Sequence, residues 1–178
     1  MKRLVRGFVL SLLLATASGS ATDLTAYRLT TDGLGAIRIG MSSAQIAKAG
    51  FRLGSPDHGN KECGEYPLAG HKGITLLFQN DRLTSVLVSH PGIKTLSGAH
   101  VGMYATQVER LYGKKLEVLR FADLGEEGGG GTMRIYSNDQ NSSVVFLTNE
   151  DQTHGTKQQP VIIAIRSGPA ADQYESCV

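Results

Sequence analysis

Gly40-Met41-Ser42-Ser43-Ala44-Gln45-Ile46 returns sixty-two residues later as Gly102-Met103-Tyr104-Ala105-Thr106-Gln107-Val108. The match continues on both sides, pairing Ile39 with Val101 and Ala49 with Leu111. A unit repeated at this spacing reads as one supersecondary module built twice, each copy relying on its neighbour to cover apolar surface. The expected fold is α+β, with two tandem helix-plus-antiparallel-sheet modules over residues 22–92 and 93–178.

Within the first module, Ala36-Ile37-Arg38-Ile39 alternates as a short strand does. Ser42 followed by Gln45 predicts a capping box, and Ile46 with Ala49 gives a short helical stripe closed at Gly50. Residues from Gly54 to Gly73 read as irregular. Ile74-Thr75-Leu76-Leu77-Phe78-Gln79, turned by Asn80-Asp81 into Arg82-Leu83-Thr84-Ser85-Val86-Leu87-Val88, is the strongest hairpin signal in the chain. With Gln79 opposite Arg82, strict alternation places Ile74, Leu76, Phe78, Leu83, Ser85 and Leu87 on one face. Thr75, Leu77, Gln79, Arg82, Thr84, Val86 and Val88 fall on the other. That second, weakly charged face reads either as partly covered by the other module or as a docking surface.

The second module follows the same order. Ala99-His100-Val101 takes the strand position, Thr106 to Tyr112 the helix, and Gly113 its end. Leu116–Arg120, Thr132–Tyr136, Ser143–Leu147 and Val161–Ile165 read as strands, with Phe146 in the place of Phe78. Asp151 to Pro160 is polar, as an exposed loop tip is.

The first 21 residues carry an export signature. Lys2, Arg3 and Arg6 precede a short apolar run from Gly7 to Ala15, followed by small residues ending Gly19-Ser20-Ala21. Such a run is shorter than the roughly 20 residues needed to cross a bilayer, so a signal cleaved near Ala21 is expected and no integral membrane segment. Three of the 18 basic residues leave with it, so 15 remain against 16 acidic ones. No basic run is left to follow a phosphate backbone, which argues against nucleic acid as a partner. The expected location is the periplasm or the exterior. In an oxidising compartment the two cysteines, Cys63 and Cys177, are expected to bridge. Closing so long a loop stabilises by roughly 4–5 kcal/mol in the chain-entropy model.

Reactive constellations are sparse. Gly128-Gly129-Gly130-Gly131 lacks the Lys and Ser/Thr that open a helix after a P-loop, and Glu126-Glu127 would repel phosphate, so a hairpin loop is the better reading. His58, His71, His90, His100 and His154 show no helical ligand spacing, no HExxH and no HxH. There is no GxSxG elbow, and the acidic pairs Glu62/Glu65, Glu126/Glu127 and Glu150/Asp151 read as solvated loops. The reading is of a protein without catalytic residues, metal or cofactor.

The two Gly-Met helix starts, each followed by a strand hairpin, resemble the repeats of the beta-lactamase-inhibitor protein family. They also resemble the outer-membrane small lipoprotein family of barrel assembly. Asp32-Gly33-Leu34-Gly35-x-Ile37-Arg38-Ile39-Gly40-Met41 is similar to a family of exported bacterial proteins with a cysteine near the C-terminus. The inhibitor resemblance implies a concave sheet that grips a protein; the lipoprotein resemblance implies envelope assembly. The chain departs from the first in having no Trp and 11 aromatic residues, and from the second in lacking a lipid-anchoring cysteine.

The functional expectation is an exported module binding another exported protein, as an inhibitor or immunity protein against a secreted hydrolase or toxin. Alternatives are an accessory factor of envelope assembly and a small cell-wall hydrolase. The expected contact residues are Tyr66, His71, Arg82 and Thr84 in the first module and Arg134 and Tyr136 in the second. N-terminal sequencing of the exported protein should begin at Thr22; an uncleaved N-terminus would remove the export reading.

Overall fold

In the computed structural model the two central residues of the hairpin turn, Asn80 and Asp81, both take left-handed backbone angles (φ 49° and 53°). That geometry matches the twist of the flanking strands and sets Gln79 opposite Arg82. The structure describes residues 23–59, 62–120, 132–137, 142–149 and 159–169. The expected signal (1–21), Cys177, His154 and the Gly128–Gly131 run lie outside them.

Besides two short 3-10 turns, fourteen strands and α-helices follow one another in the described residues: β1 (Arg28–Thr30), β2 (Gly33–Leu34), β3 (Ile37–Arg38), α1 (Ser43–Lys48), β4 (His58–Gly59), β5 (Cys63–Pro67), β6 (Ile74–Gln79), β7 (Arg82–Val88), β8 (Lys94–Thr95), α2 (Ala105–Tyr112), β9 (Leu116–Arg120), β10 (Thr132–Ser137), β11 (Ser143–Thr148) and β12 (Ile162–Gly168). A four-stranded sheet has the order β3-β2-β1-β8, and an eight-stranded one β4-β5-β6-β7-β12-β11-β10-β9. The large sheet is antiparallel throughout. Two meanders, β4 to β7 and β9 to β12, meet along their final strands, where Val88, Leu87 and Val86 pair with Ile165, Arg166 and Ser167.

The Gly-Met pairs dock each helix onto the sheet in the same way. Gly40 and Gly102 have φ of 86° and 94°, a turn that side chains resist. The Gly40 N–H donates to the Leu83 carbonyl at 2.7 Å, and the Leu83 N–H donates back to Met41 at 2.8 Å. Gly102 and Met103 make the matching pair with Ile162, both at 2.8 Å. The helix of each half is thus fastened to the start of that half's last strand. Ser42 and Gln45 form the expected capping box, with Ser42 N–H donating to Gln45 Oε1 at 2.8 Å and Gln45 N–H to Ser42 Oγ at 3.2 Å. At α2 half of it survives: Tyr104 N–H donates to Gln107 Oε1 at 2.9 Å. Ser43 N–H finds a further acceptor in Asp81 Oδ1 at 3.0 Å, which links α1 to the hairpin turn.

Both helices lie on one side of the large sheet. Ile46 of α1 and Val108 and Tyr112 of α2 belong to one buried cluster with Ile74, Leu76, Phe78, Leu83, Val86, Val88, Val144, Phe146, Ile162 and Ile165. Leu29, Leu34 and Ile37 add the small sheet to the same core.

Strict alternation fails in β7, for an identifiable reason. Leu77 pairs with Ser85 but Phe78 pairs with Leu83, so Thr84 is skipped as a β-bulge. From Ser85 onward each side chain therefore points opposite to expectation. Val86 and Val88 enter the core, whereas Ser85 and Leu87 take the other face with Thr75 and Leu77. A second bulge skips Ile163 in β12, between the Leu147–Ala164 and Thr148–Ile162 pairs. Aligning the two bulges sets Phe146 level with Leu76, not with Phe78.

Other departures are local. Residues expected to be irregular contain β5, which pairs with the length of β6 although it carries Gly64 and ends at Pro67. Ala99-His100-Val101 forms no strand; His100 contributes one bridge to Lys94. The boundary expected between residues 92 and 93 is crossed by parallel pairing of β1 with β8. β12 joins β7 across it as well.

Phe146 is fully buried between the ring of Tyr112, 5.3 Å away centroid to centroid, and the paired Ile165. Truncation there removes a large side chain from a closed core. Phe146→Ala should lower the unfolding free energy by about 3–5 kcal/mol in chemical denaturation.

Candidate functional site: the helix-free face of the large sheet

The face opposite the helices is built by alternation along the strands, as corrected by the bulges. Cys63, Glu65 and Pro67 of β5 lie beside Gln79, Leu77 and Thr75 of β6. Ser85 and Leu87 of β7 continue the row, then Arg166 of β12 and Val145 of β11. Glu117 sits at the β9 end, across Ile135. The surface is amphipathic, with aliphatic side chains between hydroxyls and a few charges of both signs. Thr75, Leu87, Leu147 and Arg166 are half-buried and Glu117 is exposed.

The side chains buried on this face without belonging to the helix-side core include Leu77 (5% exposed), Ser85 (1%), Ser143 (5%) and Val145 (0%). Ser85 Oγ has no hydrogen-bond partner among the described residues. Thr84, at the bulge, satisfies its own hydroxyl by donating to the Leu77 carbonyl at 3.2 Å.

The residues expected to form one contact surface are distributed over several. Arg82 is exposed at the start of β7, and its guanidinium donates to the Gly40 carbonyl at 3.3 Å. It thus braces the Gly-Met turn. Tyr66 and Tyr136 turn to the helix side and pack against the core. The Tyr66 ring meets Phe78 edge-on at 5.8 Å and lines a cleft of about 220 Å³ with Ser43, Leu53, Glu62 and Asp81. Tyr136 lies 5.1 Å from Tyr112. Arg134 holds a register position between Val118 and Phe146. Of the five whose side chains are described, only Arg82 and the bulged Thr84 border the helix-free face.

His71 belongs to a separate cavity of about 240 Å³, shared with Asp23, Lys72, His90 and Ile93. Sequence reading did not bring these together, because His71 and His90 lie on turns at the two ends of one hairpin. Phe51 packs edge-on against the His71 ring at 6.0 Å. Nδ1 of His90 accepts from the Gly92 N–H at 3.0 Å, so a neutral His90 carries its proton on Nε2. Among the described residues no group of three or more His, Cys, Asp or Glu could hold a metal.

Cys63 carries no free thiol. The expected pairing with Cys177 lies outside the described residues. Among those residues no helix is long and apolar enough to cross a membrane.

No protein-family model matches the chain, and no curated protein does. Among solved structures it is similar to an extracellular protein containing an SCP domain from Bacillus anthracis str. Ames, at 10% identity and a TM-score of 0.43. The alignment takes in 89% of this chain and 49% of that one, so the chain spans about half the length of that protein.

Two exposed carboxylates are held below their usual range by neighbouring hydrogen-bond donors. Hydrogen bonds from Ser43, from its side chain and then its backbone, hold the Asp81 carboxyl below its usual range. Thr25 does the same for Asp23, with smaller help from His71 and His90. A carboxyl lowered in the folded state adds stability that is present above its unfolded value, near 3.8, and lost as pH falls through the folded one. Thermal melts should therefore show stability dropping below about pH 4, with a shallower drop in Asp81→Asn.

Proposed function

We propose that this chain is an exported protein-binding module whose partner is another exported protein, held against the helix-free face of the eight-stranded sheet. Inhibition or neutralisation of a secreted hydrolase or toxin is the form of binding we favour. The observation that carries the reading is the joining of two four-stranded meanders into one broad sheet, with both helices packed on the same side. A rigid antiparallel platform with aliphatic, hydroxyl and sparse charged side chains suits recognition of a folded surface better than chemistry on a small molecule. The matched Gly-Met docking bonds and the two bulges support descent of both halves from one duplicated unit. The resemblance of the Gly-Met helix starts to inhibitor-protein repeats supports the same reading. Export is inferred from the leading 21 residues.

Thr75 and Leu87 are the half-buried positions on that face best placed to meet a partner. Mature protein immobilised on a resin should retain a specific protein from an envelope extract at low salt. The double variant Thr75→Glu/Leu87→Glu, folded by circular dichroism, should retain at least about tenfold less, since charge buried at an interface is costly. Lys48→Glu, on the exposed side of α1, should retain it as before. Equal capture by the face variant, or no capture by the unaltered protein, would defeat the proposal.

A further inference from the structure

The open end of the β6–β7 hairpin meets residues 23–25 around a small cavity. The Ser89 N–H donates to the Gly73 carbonyl at 2.8 Å and sets the His71-Lys72 turn beside His90. The 3-10 turn Leu24–Ala26, capped by Asp23, completes the wall. A Cβ added at Gly92 would lie 2.9 Å from His90 Cε1 and 3.1 Å from the Thr25 methyl, so the ring and that turn are packed about it. The enclosed space, about 240 Å³, falls below the roughly 300–1,000 Å³ of pockets for drug-sized ligands and suits a molecule of few heavy atoms.

Its floor is apolar and its rim carries both signs of charge. Leu24, Ile74 and Ile93 are buried members of the helix-side core, so the cavity is separate from the face proposed to hold a protein. Lys72 is an exposed ammonium without a hydrogen bond or ion pair among the described residues. Gly92 engages Nδ1 of His90, which leaves the Nε2–H of the neutral ring as a donor that no described residue takes. The opposite charge is Asp23. Both Thr25 bonds, 2.9 Å from the backbone and 2.7 Å from the hydroxyl, end on Oδ1, so Oδ2 keeps its accepting capacity. After those bonds, the His71 and His90 rings also help to lower the Asp23 carboxyl, so all three groups act across one space. A plain anion is repelled at one wall of such a cavity and a plain cation at the other. A zwitterion whose two charges sit close together satisfies both.

We propose that this cavity binds a free α-amino acid with a short aliphatic side chain. Its carboxylate accepts from Lys72 Nζ and His90 Nε2, and its ammonium donates to Asp23 Oδ2. Its side chain covers Leu24, Ile74 and Ile93, within bounds set by the His71 ring, itself packed edge-on against Phe51.

Isothermal titration of the full chain at neutral pH, with the L and D forms of alanine, valine and leucine, should show saturable binding of at least one. Removing either charge from the tightest binder (isocaproate and isoamylamine, where it is leucine) should weaken binding at least about tenfold, because a site group is then left unpaired. Asp23→Asn keeps an oxygen for the Thr25 cap, so the turn persists. It should weaken the amino acid about tenfold and leave the acid no weaker. Lys72→Ala should weaken the amino acid and the acid but not the amine, whereas a merely structural effect would move all three together. In proton NMR the His71 and His90 ring signals should shift on titration, and those of His58 and His100 should stay. Silence from every amino acid in the set would overturn the proposal, as would equal binding of the single-charge analogues or unchanged affinity in Asp23→Asn. The face variant Thr75→Glu/Leu87→Glu should bind the amino acid as before, so this test and the capture experiment fail independently.

Discussion

The pairing of β7 with β12 is the contact on which the architecture depends. It is short, three residue pairs long, yet it turns two meanders into one sheet and hides two edges that would otherwise present unpaired N–H and C=O groups. It also runs through the middle of the core. Val88 and Ile165, paired across it, are both fully buried beneath the helices. Beside them Ser167 is equally buried, with no hydrogen-bond partner for its hydroxyl among the described residues. An unsatisfied buried hydroxyl costs about 1–3 kcal/mol, so the seam holds against an internal penalty rather than through ideal chemistry.

Much of the framework could be read from local patterns. β6, β7 and β9 span the residues expected of them, because each is an uninterrupted run bounded by turn residues. The capping box at Ser42 and Gln45 formed because its two bonds lie within four residues. What alternation could not supply was the bulge, since a skipped residue is specified by pairing with a neighbouring strand. A local hint existed: Leu83 and Val86 are both core-sized and lie three apart, with the adjacent polar pair Thr84-Ser85 between them. β5 was hidden for a different reason. Its Gly64, Glu65 and Pro67 carry little strand preference, and the strand forms through its register with β6.

The candidate site was less legible than the fold. Choosing contact residues by chemical type favoured Tyr66 and Tyr136, whose rings proved useful to the core. The positions that do occupy the helix-free face, Leu77, Ser85, Leu87 and Val145, are small or aliphatic and carry no mark of function in the sequence. The cavity beside His71 was equally hidden, because its lining comes from Asp23 and from both ends of the β6–β7 hairpin.

The central strands run in opposite directions, and each half's helix is bonded to the start of its own last strand. The two Gly-Met anchors therefore sit at opposite ends of the two central strands, related approximately by a half turn about the sheet normal. A target that touched corresponding places on both halves would have to display two like features with dyad symmetry. A target without such symmetry must treat the halves as unlike neighbours. Under the proposed binding, the sequence differences between them, Thr75 and Leu87 against Val145 and Arg166, would then orient it.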